Sequence, residues 1–253
     1  MPNAEPGNLT LAIEMSNPSH WPDDSQSGEV AIGWLDENGV RLLGVEPITA
    51  DSPRDDALAS TINRLLKQTS TAPSALDRIA VSGGPGGFTS VRIAVTTAKV
   101  IAEAIGAHVV VVPTDESLAR AIRKGRGDLG IVAVTLAGKR DTAWCAVTAP
   151  CAWDTGPWPT PIASGMMTAV NIAESGWADS IEAMIADSHI PGSFLDWATD
   201  HSVEVVAPTP SAESVLVASR FHEAVDPVMA LPIYPREPEA VTVWRDRHGS
   251  GKA

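Results

Sequence analysis

The sequence predicts an α/β fold built on a mixed sheet, antiparallel at one side and parallel at the other. Three observations predict it. Apolar segments open the chain in hairpin order. A glycine-rich turn then joins an apolar strand directly to a helix. A β-branched run, Val109-Val110-Val111-Val112, follows that helix, and such a run suits a strand buried on both faces.

Taken in order, residues 9–14 form a short apolar strand. Residues 15–27, rich in Pro, Ser and Asp, read as an exposed loop. A second strand spans 29–36, Glu37-Asn38-Gly39 supplies a hairpin turn, and a third strand spans 40–46. Asp51 or Ser52 can cap a helix over 55–68, whose apolar stripe is Leu58, Ile62, Leu65 and Leu66. Leu76 and Ile79 lead into a strand ending at Ser82. A helix over 90–105 stops near Gly106, as a C-terminal glycine dictates, and the strand 108–112 ends at Pro113.

Residues 117–124 are helical, and strands over 131–136 and 142–148 flank the turn 137–141. Weaker patterns predict helices near 167–174 and 180–186, a strand at 203–207 and a helix at 212–224. The strand–strand opening of the first half therefore recurs, as a degenerate internal duplication would make it. Residues 149–161 hold four prolines with Trp153 and Trp158, and read as a loop whose rings pack on the domain or, alternatively, mark a contact surface. Beyond Asp226 the chain is proline-rich and ends in a charged tail, 245–253, expected to be disordered.

With 253 residues, 44% of them hydrophobic, the chain can bury a sizeable core as one large domain or two small ones. Its formal net charge of -13 argues against unaided binding of nucleic acid, which needs a basic face. A local basic cluster, Arg120, Arg123, Lys124, Arg126, Lys139 and Arg140, reads as a solvated helix end and loop, with contact to a phosphate-rich partner as the alternative. The two cysteines, Cys145 and Cys151, build neither a disulfide framework nor a four-ligand zinc site. None of the six histidines pairs with another at helical metal-ligand spacing, so no metal site is expected. Residues 1–7 lack signal-peptide character and no apolar run reaches membrane-spanning length, so a cytoplasmic protein without membrane contact is expected.

The helix over 90–105 carries too much apolar surface for one buried face. Arg92, Thr96, Lys99 and Glu103 form a narrow polar stripe. Val91, Val95, Ala98, Ala102 and Ile105 lie to one side; Ile93, Ala94, Thr97, Val100, Ile101 and Ala104 lie to the other. A helix apolar nearly all round is buried. Either it is sandwiched inside its own domain, or one flank packs on a sheet and the other on another chain.

The turn itself, Gly83-Gly84-Pro85-Gly86-Gly87, can bring main-chain N–H groups and a helix N-terminus to one point. It is not a Walker loop, because Phe88, Thr89 and Ser90 follow where Lys and Ser or Thr are needed. It is not a dinucleotide fingerprint either, because Thr89 takes the sixth place. Glu14, ending the first strand, could hold a hydrated metal ion on a nucleotide, or simply cap or salt-bridge a strand end. Asp55 and Asp56 suit a helix N-terminus. No complete catalytic set is present in this reading, and no catalytic residue is assigned.

The run Gly84-Pro85-Gly86-Gly87-Phe88-Thr89-Ser90-Val91-Arg92-Ile93 is similar to the Gly-Pro-Gly-Ser-Phe-Thr-Gly-x-Arg-Ile signature of TsaB (YeaZ) proteins. These are bacterial partners in forming the threonylcarbamoyladenosine of tRNA. Val112-Pro113-Thr114-Asp115-Glu116-Ser117-Leu118, the hairpin 137–144 and Leu231-Pro232-Ile233-Tyr234-Pro235-Arg236 continue the resemblance in the family's order. It implies an actin-like ATPase (ribonuclease-H-like) fold with two lobes, each a mixed sheet flanked by helices. Residues 1–114 would form the first lobe, completed by the helix near 211–224, residues 115–225 the second, and 226–253 a C-terminal extension.

The resemblance further implies a non-catalytic scaffold or activator subunit of the N6-threonylcarbamoyladenosine-forming complex. Its expected partners are a TsaD-type catalytic subunit and a TsaE-type ATPase, with tRNA reached only through the complex and a homodimer when alone. The expected interface is Leu58, Ile62, Leu65, Val91, Arg92, Val95, Ala98, Lys99 and Ala102. ATP or ADP with Mg at that interface would meet Glu14, Ser16, Gly84, Gly86 and Gly87. The alternative is an enzyme in its own right, a nucleotide-dependent transferase or a peptidase. Glu14-Met15-Ser16 departs from the family's Asp-Thr-Ser or Asp-Thr-Ala, Gly87 stands where it has Ser, and Ser90 where it often has Gly.

Overall fold

The chain forms two five-stranded sheets with one shared plan. The structure, a computed structural model, describes residues 7–17, 21, 25–49 and 57–236, with 241, 244, 245 and 247. In the first sheet β1 (Asn8–Glu14) pairs antiparallel with β2 (Gln26–Asp36), and β2 with β3 (Gly39–Thr49). On its other side β1 pairs parallel with β4 (Arg78–Ser82), and β4 with β5 (His108–Val112). The second sheet repeats this. Here β6 (Ile131–Lys139) pairs antiparallel with β7 (Thr142–Thr148), and β7 with β8 (Ala163–Thr168). Across β6 lie the parallel strands β9 (Ile181–Ala186) and β10 (Glu204–Val206). The duplication glimpsed in the recurring hairpin is thus a repeat of the whole strand order.

The two-residue period of β1 sorts its side chains between two layers. Leu11 and Ile13 join Ile79 and Val81 under α1 (Ala57–Gln68) and α2 (Phe88–Ile105). Ala12 faces the opposite way, with Ala31, Ala80 and Val110, against Val215 and Leu216 of α6 (Ala212–Ala218). That face is built from small residues, so α6 approaches closely; a Cβ at Gly33 would come within 2.8 Å of Leu216 Cδ2. In the second lobe α4 (Ala169–Ala173) and α5 (Gly192–Asp200) cover one face, where Ile172, Phe194 and Trp197 meet Ala133, Cys145 and Met184. On the other face Leu118 and Ile122 of α3 (Thr114–Gly125) pack on Val132, Val134 and Ile185. Since α3 also packs on α6, these two helices lie between the sheets.

Several expectations are corrected. Residues 181–186 are strand, not helix. The spacing of Ile181, Met184 and Ile185 imitates a helical face, but the segment lies between β6 and β10 and hydrogen-bonds to both. Residues 163–168, without a β-branched residue before Thr168, become an edge strand by pairing with β7. Helix α5 was not expected at all. Helix α6 stops at Ala218 and passes into a 3-10 turn, Ser219–Phe221, rather than reaching residue 224. Gly106 ends α2 in the left-handed conformation, φ 74°, as expected of a C-terminal glycine. The expectations for Asp51, Ser52, Asp55 and Asp56, and most of those for the tail, lie outside the described residues. Among the described residues no helix is long and apolar enough to cross a membrane.

Candidate functional site

Helix α2 resolves its own ambiguity. Val91, Val95, Ala98 and Ala102 are buried against the first sheet, together with Leu58, Ile62 and Leu65 of α1. These seven residues, expected at a partner interface, are core of the monomer. The opposite flank is the open one: Ile93, Val100 and Ala104 are exposed, with Val100 63% accessible. The two polar residues of the expected interface have local duties. The Arg92 guanidinium lies over the Phe88 ring, 4.2 Å from its centroid. Lys99 Nζ donates to the carbonyls of Val228 (3.2 Å) and Ala230 (3.0 Å).

Those carbonyls belong to a C-terminal strap that sequence reasoning left as a bare extension. Val225 bridges Val109 at the edge of the first sheet. The chain then passes beside α2, and the Ile233 N–H donates to Gly83 O at 2.7 Å. The Tyr234 and Phe88 rings meet with centroids 4.9 Å apart. Arg236 Nη2 then reaches the second lobe, donating to Thr142 O (2.7 Å) and Thr142 Oγ1 (2.8 Å). Gly84, at φ 104°, lies under this strap, and a Cβ there would fall 2.5 Å from Ile233 O.

The expected nucleotide residues Glu14, Ser16, Gly86 and Gly87 do converge, but on one another. Glu14 Oε1 accepts from both the N–H (2.6 Å) and the Oγ (2.5 Å) of Ser16. Ser16 O in turn accepts from the Gly87 N–H at 2.7 Å. Gly86 is pressed on the same carbonyl, 2.2 Å from where a Cβ would sit. Glu14 and Ser16 are fully buried. Burial pushes the Glu14 carboxyl above its usual range, against the lowering effect of its Ser16 hydrogen bonds, and Oε2 meets no hydrogen-bond partner among the described residues. A carboxyl group sealed from solvent cannot hold a hydrated cation. The Ser16 and Gly87 N–H groups are already spent. These residues therefore do not fit the Mg-bound ATP or ADP expected of them.

What remains between the lobes is a hollow of about 280 Å³. Asn17, Gly86 and Gly87 line it from the first lobe, and Leu136, Gly138, Asp187 and His189 from the second. Asp187 and His189 follow β9, the strand misread as helix, so no sequence signal pointed to them. Among the described residues no three His, Cys, Asp or Glu side chains converge as a metal-ligand set.

The basic cluster divides: Lys124, Lys139 and Arg140 are exposed as expected, but two of its members are internal. Arg120 and Arg123 are buried. Arg120 Nε donates to Glu116 Oε1 at 2.8 Å, and its other nitrogens donate to the Trp153 and Gly156 carbonyls. Its guanidinium lies 5.4 Å from the Trp158 ring centroid. Lys124 and Arg126 pair with Glu213 and Glu204. Arg120, Arg123 and Lys124 thus fasten the 149–161 loop to α3, and Trp153 and Trp158 serve that packing.

Beside Glu116, Asp115 is buried, and its desolvation, with the neighbouring Glu116 charge, pushes its carboxyl up to about 6. The unfolded chain ionises near 3.8, so this group favours the fold fully below that value and loses the contribution as pH rises through 6. At neutral pH the buried charge costs about 3 kcal/mol. Asp115→Asn should therefore melt higher than the native chain at pH about 8 and converge with it at pH about 4, as thermal melts across that range would read.

A family model described as TsaD: tRNA N6-adenosine threonylcarbamoyltransferase matches residues 37–148. YeaZ from Pseudomonas aeruginosa superposes with a TM-score of 0.66 at 21% identity, covering 90% of this chain and 99% of that one. A second Pseudomonas aeruginosa structure, an uncharacterized protein with similarity to peptidase YEAZ, gives 0.68 at 21% identity, covering 90% and 100%. The fold is that of YeaZ, an actin-like ATPase fold of two lobes. None of the curated proteins matches this chain in sequence.

Proposed function

We propose that this chain is a TsaB (YeaZ)-type accessory subunit for forming N6-threonylcarbamoyladenosine in tRNA, acting in the cytoplasm through a TsaD-type catalytic partner. One observation carries the proposal: the outward flank of α2 presents Ile93 and Val100 to solvent, with Phe88 exposed at the helix start beside the Gly-Pro-Gly turn that bears the family resemblance. Apolar side chains in such a row mark a contact surface. The YeaZ fold, the TsaD family match and the closed Glu14–Ser16–Gly87 turn support the same reading. The turn is built for packing rather than for gripping phosphates. The net charge of -13 supports a reading in which the partner supplies the tRNA grip. A TsaE-type ATPase would complete the assembly, with nucleotide held outside this chain's own cleft.

The test is assembly. The chain and the TsaD-type subunit of the same organism, mixed at micromolar concentration, should elute as one complex. Ile93→Glu should melt like the native chain, because Ile93 is exposed, yet weaken the complex roughly 100-fold, since a carboxylate would be buried in an apolar contact. It should also lower threonylcarbamoyladenosine in the tRNA of cells carrying it. An unchanged affinity would refute the assignment of this flank. Undiminished modification in cells lacking the chain would refute the function.

A further inference from the structure

The strap beside α2 displays more apolar surface than its own packing requires. Val228, Met229 and Leu231 are 71%, 67% and 67% exposed, while Pro227 before them and Ala230 among them are buried. The backbone that presents them is pinned. Asp226 Oδ1 accepts from the Val228 N–H at 2.9 Å, Lys99 grips the carbonyls of Val228 and Ala230, and Ile233 is tied to Gly83. Three outward side chains are thus in place before anything binds, and a preorganised surface gives up little conformational entropy on association. On one side of this ridge lies a groove of about 570 Å³, lined by Val100, Glu103, Ala104, Asp226 and Val228. On the other, a hollow of about 320 Å³ runs from Glu223 to Met229 and Leu231.

The rim determines the occupant's chemistry. Glu103, Glu223 and Asp226 are exposed around the apolar floor. Of the basic groups lining it, Lys99 is held by two carbonyls and His222 by the Glu116 carboxylate. Symmetric pairing of two copies would set carboxylate against carboxylate on chains that already carry -13 each. RNA would meet anions where it needs cations. A protein segment with an apolar stripe flanked by Lys or Arg satisfies both the floor and the rim.

We infer that the strap 226–231 and the C-terminal half of α2 together form a docking surface for a basic-flanked amphipathic helix of the catalytic partner. This inference rests on the subunit assignment above. It extends the contact past the Phe88–Ile93 end of α2, and it makes assembly salt-sensitive.

Binding to the TsaD-type subunit, measured by calorimetry at low and high salt, tests it. The full-length native chain is compared with Met229→Glu, with the double variant Glu103→Lys/Glu223→Lys, and with Ile93→Glu. All replaced side chains are exposed, and unchanged melting temperatures verify folding. Met229→Glu should weaken binding roughly 10-fold or more. The charge-reversed chain should bind roughly 10-fold more weakly at low salt and lose the native chain's salt dependence. If both bind as the native chain does while Ile93→Glu fails, the strap surface is refuted and the α2 assignment stands. Tighter binding by the charge-reversed chain would also refute it, by showing an acidic occupant. Absence of any native complex overturns both.

Discussion

Ala98→Glu should yield no stably folded protein, rather than a folded protein that has lost its partner. Ala98 is fully buried in the α2 layer of the first lobe, among Val91, Ala94, Val95 and Ala102. A carboxylate there has no cation to meet and no room. Burying a polar group unsatisfied costs several kcal/mol, more for a charge, and overpacking adds about 1–3 kcal/mol. The whole stability of a domain is about 5–15 kcal/mol. Loss of soluble expression, or a melting transition that disappears, is the expected readout. Val100→Glu, two residues further along the same helix, should leave melting unchanged because its side chain is solvent-facing. The contrast separates packing from docking on one helix. Loss of partner binding by an unfolded Ala98 variant would say nothing about an interface.

Arg120→Ala should be almost as damaging, through the second lobe. Arg120 and Glu116 form an ion pair with side chains 0% and 1% exposed. Truncating the arginine strands the Glu116 carboxylate and the carbonyls of Trp153 and Gly156 without their donor. Breaking a buried pair from one side costs about 3–5 kcal/mol. The urea midpoint should fall accordingly, and tryptophan emission should shift as the 149–161 loop leaves α3. Replacing both partners, as Arg120→Met with Glu116→Gln, should recover part of the loss, because no unpaired charge then remains inside. The glutamine can still hydrogen-bond His222 Nε2, which lies 2.6 Å from Glu116 Oε2 in the native chain. If the double variant proved no better than Arg120→Ala, the ion pair would not be the source of the effect.

The two arginines also show where sequence reading stops. Arg120, Arg123, Lys124 and Arg126 read as one solvated patch because their spacing along α3 is all that sequence displays. Their fate depends on the 149–161 loop, which lies about thirty residues away and covers the first two. Helix α2 is the same lesson in milder form. Its two apolar flanks were legible in outline, with Ala94 and Ile101 on the wrong side of the division, as was the excess of greasy surface. Which flank faced the sheet was not, since both satisfy helical periodicity equally. The interface expectation therefore fell on the buried flank. The first lobe's strands, its hairpin, its glycine-rich turn and the end of α2 at Gly106 were legible because each rests on local chemistry. The second lobe was less so. Strands β8 and β9 exist through pairing with distant neighbours, and their own residues do not announce it. With β9 misplaced, Asp187 and His189 at the cleft could not be found.

One consequence follows from where α6 comes in the chain. The alanine-lined face of the first sheet, with Ala12, Ala31, Ala80 and Val110, has its cover supplied by Val215 and Leu216, more than a hundred residues after β5. During synthesis that face emerges from the ribosome long before its lid exists. The nascent first lobe must wait, half-wrapped, while the entire second sheet is translated. A fragment cut after β5 would carry the same bare face into solution and aggregate through it.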